Sequence, residues 1–264
     1  MRSEFRHVSD AEAQTANRAD WDAEADSYQR EHGTFLGDAR FVWCPEGLDE
    51  QDARLLGDVS GRRVLDLGCG AAQCARWLRT KHAAAVGVDL SQRMLQHGHR
   101  LDDATGVNVP VVCGSATALP FGDDSFDAVC SAFGALPFVV DIERAFREVV
   151  RVLRADGLFA FSVVHPVRRM FPDEPTSAGM TIVRSYFDRS AYVEVAHDGG
   201  ATYVEPHHTL GDWIEAITAS GLDVESLVEP EWPPGHTRVW GGWGPVRGSL
   251  LPGTALFVTR APAG

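Results

Sequence analysis

Three residues in the first half of the chain, one acid and two glycines, have types and spacing that suit ligand binding. Asp66 interrupts a short apolar run, and Gly68 and Gly70 follow it with one residue between them. A glycine adopts positive φ readily and lets the backbone come within contact distance of a bound molecule. A helix that starts after such a turn directs its free N–H groups and positive dipole end at the ligand. The stretch therefore predicts a ligand-binding turn between a buried parallel strand and a helix.

Two ligand classes compete for this turn, a dinucleotide and S-adenosylmethionine. A dinucleotide site requires a third glycine for close helix packing, and Gln73 stands at that position. It also has an apolar residue two positions before the first glycine, where this chain has Asp66. A carboxylate there repels a pyrophosphate but suits the positively charged amino group of a methionine moiety. The turn therefore favours S-adenosylmethionine.

The elements that must position these residues alternate between strand and helix. The first five predicted strands cover residues 63–67, 84–89, 110–113, 126–131 and 158–164, and two more cover 222–228 and 255–259. Ser91 is placed to cap the helix after the second strand, because its hydroxyl can accept a hydrogen bond from a first-turn N–H. The alternation predicts an α/β fold built on a parallel sheet.

The N-terminal region lies outside this alternation. Residues 1–9 are expected to be a frayed tail, and a helix is expected from residue 10 onward. Trp21, Tyr28 and His32 fall on one face of this helix, which fits either a surface helix packed on the core or a lid over a ligand.

A long insertion follows the fifth strand. Residues 165–208 contain stretches at 180–187, 191–195 and 202–205 that could pair as β-hairpins. An insertion of this length at this point usually serves the ligand. We therefore expect an N-terminal helical lid and linker over residues 1–58 and a cofactor-binding domain over 59–264, with the insertion forming part of the acceptor pocket.

The composition limits the partners that the chain can have. Its 264 residues suffice for one large domain with a substantial core. The net charge of −13 comes from dispersed acids, and no basic stripe is present, which disfavours nucleic acid. Five cysteines, an odd number without a CxxC pair, are typical of reduced thiols and give no metal site. No apolar run approaches the ~20 residues of a membrane span. We expect a cytoplasmic monomer or homodimer without metal or membrane contact.

Four motifs taken together resemble those of class I S-adenosylmethionine-dependent methyltransferases of the UbiE-like (methyltransferase type 11) small-molecule group. They are VLDLGCG at 64–70, GVDLS at 87–91, LPFGDDSFD at 119–127 and RVLRADG at 151–157. The glycine turn alone is not specific, but four motifs in the right order are. The resemblance implies a three-layer Rossmann-like fold with a mostly parallel seven-stranded sheet, an antiparallel last strand and a β-hairpin insertion after strand five.

The resemblance also implies which residues contact the cofactor. Asp66 and the backbone of Gly68, Cys69 and Gly70 would hold the methionine end, and Asp89 would accept hydrogen bonds from both ribose hydroxyls. The other implied contacts are Leu90, Ser115, Ala116 and Ser131. The family commonly has an acid at the position of Ser115 that touches the adenine amino group, so that carboxylate contact is absent here.

The acceptor side of the site is less defined by the sequence. Methyl transfer from a sulfonium is an in-line displacement, and a base is needed only when the acceptor is a hydroxyl or a similar group. His165 after strand five, and His207 and His208 at the end of the insertion, are candidate bases, although each also fits a loop hydrogen bond. Tyr28, Trp43 and Phe133 are expected to line the acceptor pocket. Three further tryptophans at 232, 240 and 243 fit either a roof over that pocket or an ordinary core.

These observations favour methyl transfer from S-adenosylmethionine to a small molecule, with oxygen preferred to carbon or nitrogen as the accepting atom. The end of strand four, SAFGALPF at 131–138, lacks the Asn/Asp-Pro-Pro-aromatic stretch of enzymes that methylate nucleobase amino groups. Two alternatives remain open. One is a regulatory or partner protein that binds S-adenosylmethionine or S-adenosylhomocysteine without transfer. The other is a tRNA or protein methyltransferase, which the acidic charge disfavours.

Overall fold

The computed structural model describes residues 2–264 and contains two β-sheets. The strands are β1 (Arg2–Arg6), β2 (Arg63–Leu67), β3 (Ala84–Asp89), β4 (Val111–Cys113), β5 (Phe126–Ala132), β6 (Leu153–Val164), β7 (Ala191–Val195), β8 (Ala201–Glu205), β9 (Asp223–Val228) and β10 (Thr254–Arg260). The central sheet has the order β4-β3-β2-β5-β6-β10-β9. Strands β2 to β6 pair in parallel, and β10 is antiparallel to both of its neighbours. The mostly parallel seven-stranded sheet with an antiparallel last strand is therefore confirmed.

Helices cover both faces of this sheet. They are α1 (Asp10–Leu36), α2 (Glu50–Ala53), α3 (Gln73–Thr80), α4 (Gln92–Thr105), α5 (Ile142–Val152), α6 (Leu210–Ala219) and α7 (Pro245–Gly248). Short 3₁₀ turns span Leu136–Phe138, Pro166–Met170 and Ser177–Met180. In the part of the chain that the structure describes, no helix combines the length and the apolar character that crossing a membrane requires.

The strands bury side chains on both faces, which produces three layers. Phe159 and Phe161 of β6 pack with α5 and α6, whereas Leu158 and Ala160 pack in the cluster that contains α3 and α4. Parallel strands that are covered on both sides read as continuous apolar runs, which is how these strands appear in the sequence. The three-layer Rossmann-like architecture is confirmed.

The N-terminal residues correct one expectation and the insertion corrects another. Arg2–Arg6 is not a frayed tail, because it forms β1 and pairs antiparallel with β7. The hairpin of β7 and β8 is present as predicted, but residues 180–187 contain no strand. The result is a separate sheet with the order β1-β7-β8. The pairing partner of β1, residues 191–195, lies far away along the chain, so local sequence does not reveal it.

Helix α1 is fastened to this small sheet by one buried amide. The Asn17 side chain donates from Nδ2 to the Val204 carbonyl at 2.9 Å and accepts at Oδ1 from the Val204 N–H at 2.8 Å. It therefore acts as one more residue of a β-ladder at the edge of β8. At its middle, α1 meets α4 through Asp22, whose Oδ1 accepts from the Ser91 hydroxyl at 2.7 Å. These contacts hold α1 across the top of the central sheet.

Replacing Asn17 with alanine should destabilise the protein, because it leaves the buried N–H and C=O of Val204 without partners. We expect the free energy of unfolding to fall by about 3 kcal/mol. Urea denaturation followed by circular dichroism measures this change. Asn108→Ala, at an exposed position, is the matched control and should change stability by less than about 0.5 kcal/mol. Equal losses in the two variants would contradict the role given to Asn17.

Candidate active site

A cavity with an empty volume of about 1150 Å³, counting the part open to solvent, lies between α1 and the carboxyl ends of the central strands. This edge of an open α/β sheet is where such folds bind ligands. On the α1 side the wall consists of Asp10, Gln14, Asn17, Trp21, Tyr28, Gln29 and Leu36. The opposite wall comes from the segments that follow β2, β3, β4 and β5. The cavity therefore depends on both the central sheet and the N-terminal helix.

Gly68 forms the tightest point of the cavity floor. Its φ is +72°, and a Cβ added there would lie 2.1 Å from the Ala135 backbone nitrogen. A Cβ on Gly134 would lie 2.5 Å from the Gly68 carbonyl oxygen. The loops after β2 and β5 thus touch through bare backbone, which excludes any side chain at either position.

Asp89 at the end of β3 is held by backbone donors. Its Oδ2 accepts from the Gly70 N–H at 2.8 Å, and its Oδ1 accepts from the Ser91 N–H at 2.8 Å. Burial raises the pKa of the Asp89 carboxyl. A carboxylate has about four acceptor positions, so two remain for a ligand. Ser91 also caps α4 as predicted, since its hydroxyl accepts from the Met94 N–H at 3.1 Å.

Of the two acids, Asp66 has the higher free-energy cost of carrying a charge, because its side chain is buried. Its Oδ2 accepts from the Ala75 N–H of α3 at 3.0 Å. Burial, with a further contribution from the negative charge of Asp89, raises the pKa of Asp66 to about 7. A buried carboxylate in this position is stabilised by a proton or by a cationic ligand group. These two hydrogen-bond acceptors therefore fit a ligand with an ammonium group beside a diol.

The remaining residues implied as cofactor contacts are distributed unevenly. Cys69, Leu90, Ser115 and Ala116 line the cavity. Ser131 does not, because it is fully buried within β5 and its hydroxyl has no hydrogen-bond partner in the described residues. The expectation for Ser131 as a cavity residue is therefore wrong.

Aromatic side chains line another part of the cavity. Tyr28, Phe133, Trp21 and Phe138 line it. The Trp21 ring packs edge-on against Tyr28 at 5.3 Å and against Phe138 at 5.4 Å. Phe133 has a φ of +53°, an unusual backbone for a bulky residue and one found mainly at functional sites.

Trp43 is not part of this wall. It is fully buried in the core on the α3 side of the sheet, and its indole N–H donates to Glu50 at 2.8 Å. Glu50 also accepts from the N–H groups of Leu55 and Leu56, so Trp43 belongs to a buried linker network. Its expected place in the acceptor pocket is wrong because the linker folds beneath the sheet edge.

The three candidate histidines lie on a different, smaller cavity of about 320 Å³, and His207 and His208 also line a third one of about 990 Å³ that shares no residue with the active-site cavity. His165 Nε2 lies 2.9 Å from a Glu229 carboxylate oxygen. His207 and His208 each place Nε2 within hydrogen-bond distance of a backbone carbonyl, of Tyr186 at 2.8 Å and Val139 at 3.2 Å. Burial lowers the pKa of all three.

The wall between the two cavities is the short 3₁₀ turn. Pro137 borders the smaller cavity, and Phe138 borders the larger one. No histidine of residues 2–264 lines the large cavity. The structure thus corrects the placement of His165, His207 and His208 at the acceptor, because an intervening turn and their own hydrogen bonds hold them elsewhere.

The tryptophan-rich loop braces α1 from outside. Trp240 stacks on His32 with 3.9 Å between ring centroids, and Arg238 Nη2 lies 2.7 Å from His32 Nδ1. Trp232 and Trp243 do not line the large cavity. The loop therefore supports the helix and does not form a roof.

Comparisons with known proteins agree with this geometry. The family model of the methyltransferase domain matches residues 65–161. The chain is 30% identical over 182 residues to a demethylmenaquinone methyltransferase of Clavibacter sepedonicus, covering 66% of this chain and 72% of that protein. It is 38% identical over 130 residues to a demethylmenaquinone methyltransferase of Thermus thermophilus, covering 48% of this chain and 56% of that protein.

A similar solved structure extends the likeness to nearly the whole chain. It is the 1,6-didemethyltoxoflavin-N1-methyltransferase of Burkholderia thailandensis with bound 1,6-didemethyltoxoflavin and S-adenosylhomocysteine. The TM-score is 0.63 at 17% identity, covering 98% of this chain and 93% of that one. At this identity the likeness concerns the fold.

The raised pKa of Asp66 predicts a pH-dependent cost in the free protein. Because its folded pKa of about 7 exceeds the ordinary 3.8, the folded state binds a proton more tightly, and stability falls as the pH rises between these values. The stability of Asp66→Asn relative to the wild type should therefore increase through this window by up to about 1.4 kcal/mol per pH unit. Denaturant unfolding at several pH values measures it, with exposed Asp103→Asn as a control that should show no such slope. A difference that does not change with pH would contradict the buried state of Asp66.

Proposed function

The chain belongs to the class I S-adenosylmethionine-dependent methyltransferases, and we propose that it methylates a small, uncharged, aromatic molecule held beneath α1. When bound, S-adenosylmethionine supplies an electrophilic methyl group on a sulfonium. What the chain must supply is alignment of the acceptor with that methyl group and exclusion of water. The proposal follows from which side chains line the large cavity.

The cofactor end of the cavity contains the two acids, Asp66 and Asp89. We assign the ammonium group of the methionine moiety to Asp66 and its backbone contacts to the turn from Gly68 to Gly70. Asp89 receives the ribose hydroxyls on its two free acceptor positions, and Leu90 and Ala116 lie against the base. The raised pKa of Asp66 supports this assignment, because a cationic group offsets the cost of its buried charge.

The acceptor end is apolar and lacks a histidine base. The titratable side chains on the cavity wall are Asp10, Tyr28, Arg40, Asp66, Cys69, Cys74 and Asp89. Of these, Arg40 is engaged with Asp49 at 2.7 Å, and burial raises the pKa of Tyr28. Asp66, Cys69 and Asp89 are assigned to the cofactor. Asp10 lies 3.1 Å from Gln14 Nε2, and burial raises the pKa of the Cys74 thiol. At the acceptor end of the cavity, a bound molecule therefore contacts aromatic rings and no group suited to accepting a proton at neutral pH.

The acceptor atom is therefore one that is nucleophilic without help from a protein base. A ring carbon of an electron-rich aromatic system or a nitrogen lone pair meets this requirement, because it takes the methyl group first and loses its proton to water afterwards. A neutral hydroxyl is too weak a nucleophile unless it loses its proton beforehand. This moves the preference from oxygen to carbon or nitrogen. The similar proteins are named for demethylmenaquinone and for 1,6-didemethyltoxoflavin, which supports a small-molecule acceptor.

Helix α1 serves as the lid in this proposal. It presents Trp21 and Tyr28 to the acceptor, and its outer face is braced by Trp240. Helix α1 forms one whole wall of the cavity, which is partly open to solvent. Its ties at Asn17 and Asp22 bring the aromatic wall back over the ligand.

Asp89→Ala should weaken binding of S-adenosylhomocysteine at least tenfold, because two charge-assisted hydrogen bonds to the ribose are lost. Isothermal titration calorimetry measures the affinity, and circular dichroism verifies that the variant is folded. Asp103→Ala, exposed on α4, should bind as the wild type does. Retained affinity in Asp89→Ala would refute the cofactor assignment.

Turnover of methyl-labelled S-adenosylmethionine with a panel of aromatic carbon, nitrogen and oxygen acceptors tests the acceptor class. For an acceptor found in this way, Trp21→Ala should raise KM about tenfold through lost aromatic contact. His207→Ala should leave kcat within about twofold, because its side chain lies on the other cavity. A large fall in kcat in His207→Ala, or turnover of phenolic oxygens alone, would overturn the proposal.

A further inference from the structure

The end of the cavity that would hold the adenine base lacks a carboxylate acceptor from the central sheet. Strands β2, β3 and β4 lie side by side, so Asp66, Asp89 and Ser115 follow one another along their carboxyl edge. A ligand with its amino acid at Asp66 and its sugar at Asp89 places its base at Ser115. Many proteins of the family have a carboxylate at this position, which accepts a hydrogen bond from the exocyclic amino group. This chain has a serine hydroxyl there instead.

Gln14 of α1 reaches this point from the other wall. Its Nε2 lies 2.8 Å from the Ser115 hydroxyl and 2.8 Å from the Thr117 hydroxyl. It also lies 3.1 Å from a carboxylate oxygen of Asp10, one helical turn earlier. Among the residues of α1, Gln14 alone has a side chain that hydrogen-bonds to Ser115 and Thr117, in the loop that follows β4.

Asp10 determines which way the Gln14 amide faces. The two ends of an amide are exchanged by a rotation, and hydroxyl neighbours accept either orientation. A carboxylate only accepts hydrogen bonds, so it requires the NH₂ end. The Oε1 atom is thereby turned away from Asp10, and within residues 2–264 it accepts no hydrogen bond. Since Gln14 lines the cavity, this leaves a hydrogen-bond acceptor at its base end.

We propose that Gln14 Oε1 accepts the hydrogen bond of the adenine amino group, and that α1 thereby distinguishes adenine from other bases. The inference rests on the cofactor assignment proposed above. The Gln14 NH₂ group has two hydrogens, so Asp10 accepts one and the Ser115 or Thr117 hydroxyl accepts the other, which holds the amide in one orientation. The acceptor that the β4 loop lacks is supplied by the N-terminal helix.

Two ligands that differ at one group test this inference by calorimetry. S-inosylhomocysteine carries a carbonyl oxygen where S-adenosylhomocysteine carries the amino group, and that oxygen faces Gln14 Oε1 unfavourably. The wild type should bind the adenosyl ligand at least tenfold more tightly. In Gln14→Leu the adenosyl ligand should weaken about tenfold, while the inosyl ligand should not weaken, so that the discrimination is lost.

Two further variants separate recognition from support of the helix. Thr15→Leu, on the exposed face of the same helix, should keep the discrimination of the wild type. Adding Ser115→Asp to Gln14→Leu should restore it, because a carboxylate again accepts from the amino group. Equal weakening of both ligands in Gln14→Leu, or unchanged discrimination there, would overturn the inference. Failure of the wild type to bind S-adenosylhomocysteine would overturn the cofactor assignment itself.

Discussion

Among residues 2–264, two carboxylates without a cationic partner, the buried Asp66 and the half-buried Asp89, shape the cofactor end of the cavity. Within residues 2–264 both are held by backbone N–H groups, at Ala75 for the first and at Gly70 and Ser91 for the second. Burying a charge in this way costs several kcal/mol unless another charge or a proton compensates it. The free protein meets part of this cost through the raised pKa of Asp66. A ligand that brings an ammonium group and a diol meets the rest, which links the stability of the fold to its cofactor.

A second constraint is that two separate parts of the protein, the central sheet and helix α1, form the walls of the cavity. The central sheet provides the acids and the glycine floor, whereas α1 provides the aromatic side chains. Asn17 and Asp22 tie this helix to β8 and to the start of α4. The small sheet that includes the extreme N-terminus therefore has a functional consequence, because β8 anchors the helix that closes the cavity. Positions 14, 17, 21 and 28 are spaced so that one face of α1 meets the ligand along its length.

The contrast between the two cavities explains why the acceptor chemistry proposed from the structure differs from that favoured by the sequence. The candidate histidines suggested a base and therefore an oxygen acceptor. In the structure they face a small cavity behind the 3₁₀ turn, and each is held by a carbonyl or a carboxylate. Rings rather than bases surround the space in front of the turn. An acceptor with an intrinsically nucleophilic atom suits such a wall.

The sequence by itself determined the central sheet, the glycine turn, the cap at Ser91 and the placement of Asp66 and Asp89 at strand ends. These features follow from local patterns, because strand–turn–helix units are encoded within about thirty residues. Tertiary structure alone decided the pairing of β1 with β7, the burial of Trp43 and the separation of His165, His207 and His208 from the large cavity. It also decided that Gln14 meets Ser115 across 101 positions of the chain. Each of these depends on contacts between segments far apart in sequence, and a single sequence carries no local signal for such contacts. The helical face with Trp21, Tyr28 and His32 was visible in the sequence, but only the folded chain showed that Gln14, Asn17, Trp21 and Tyr28 line the cavity.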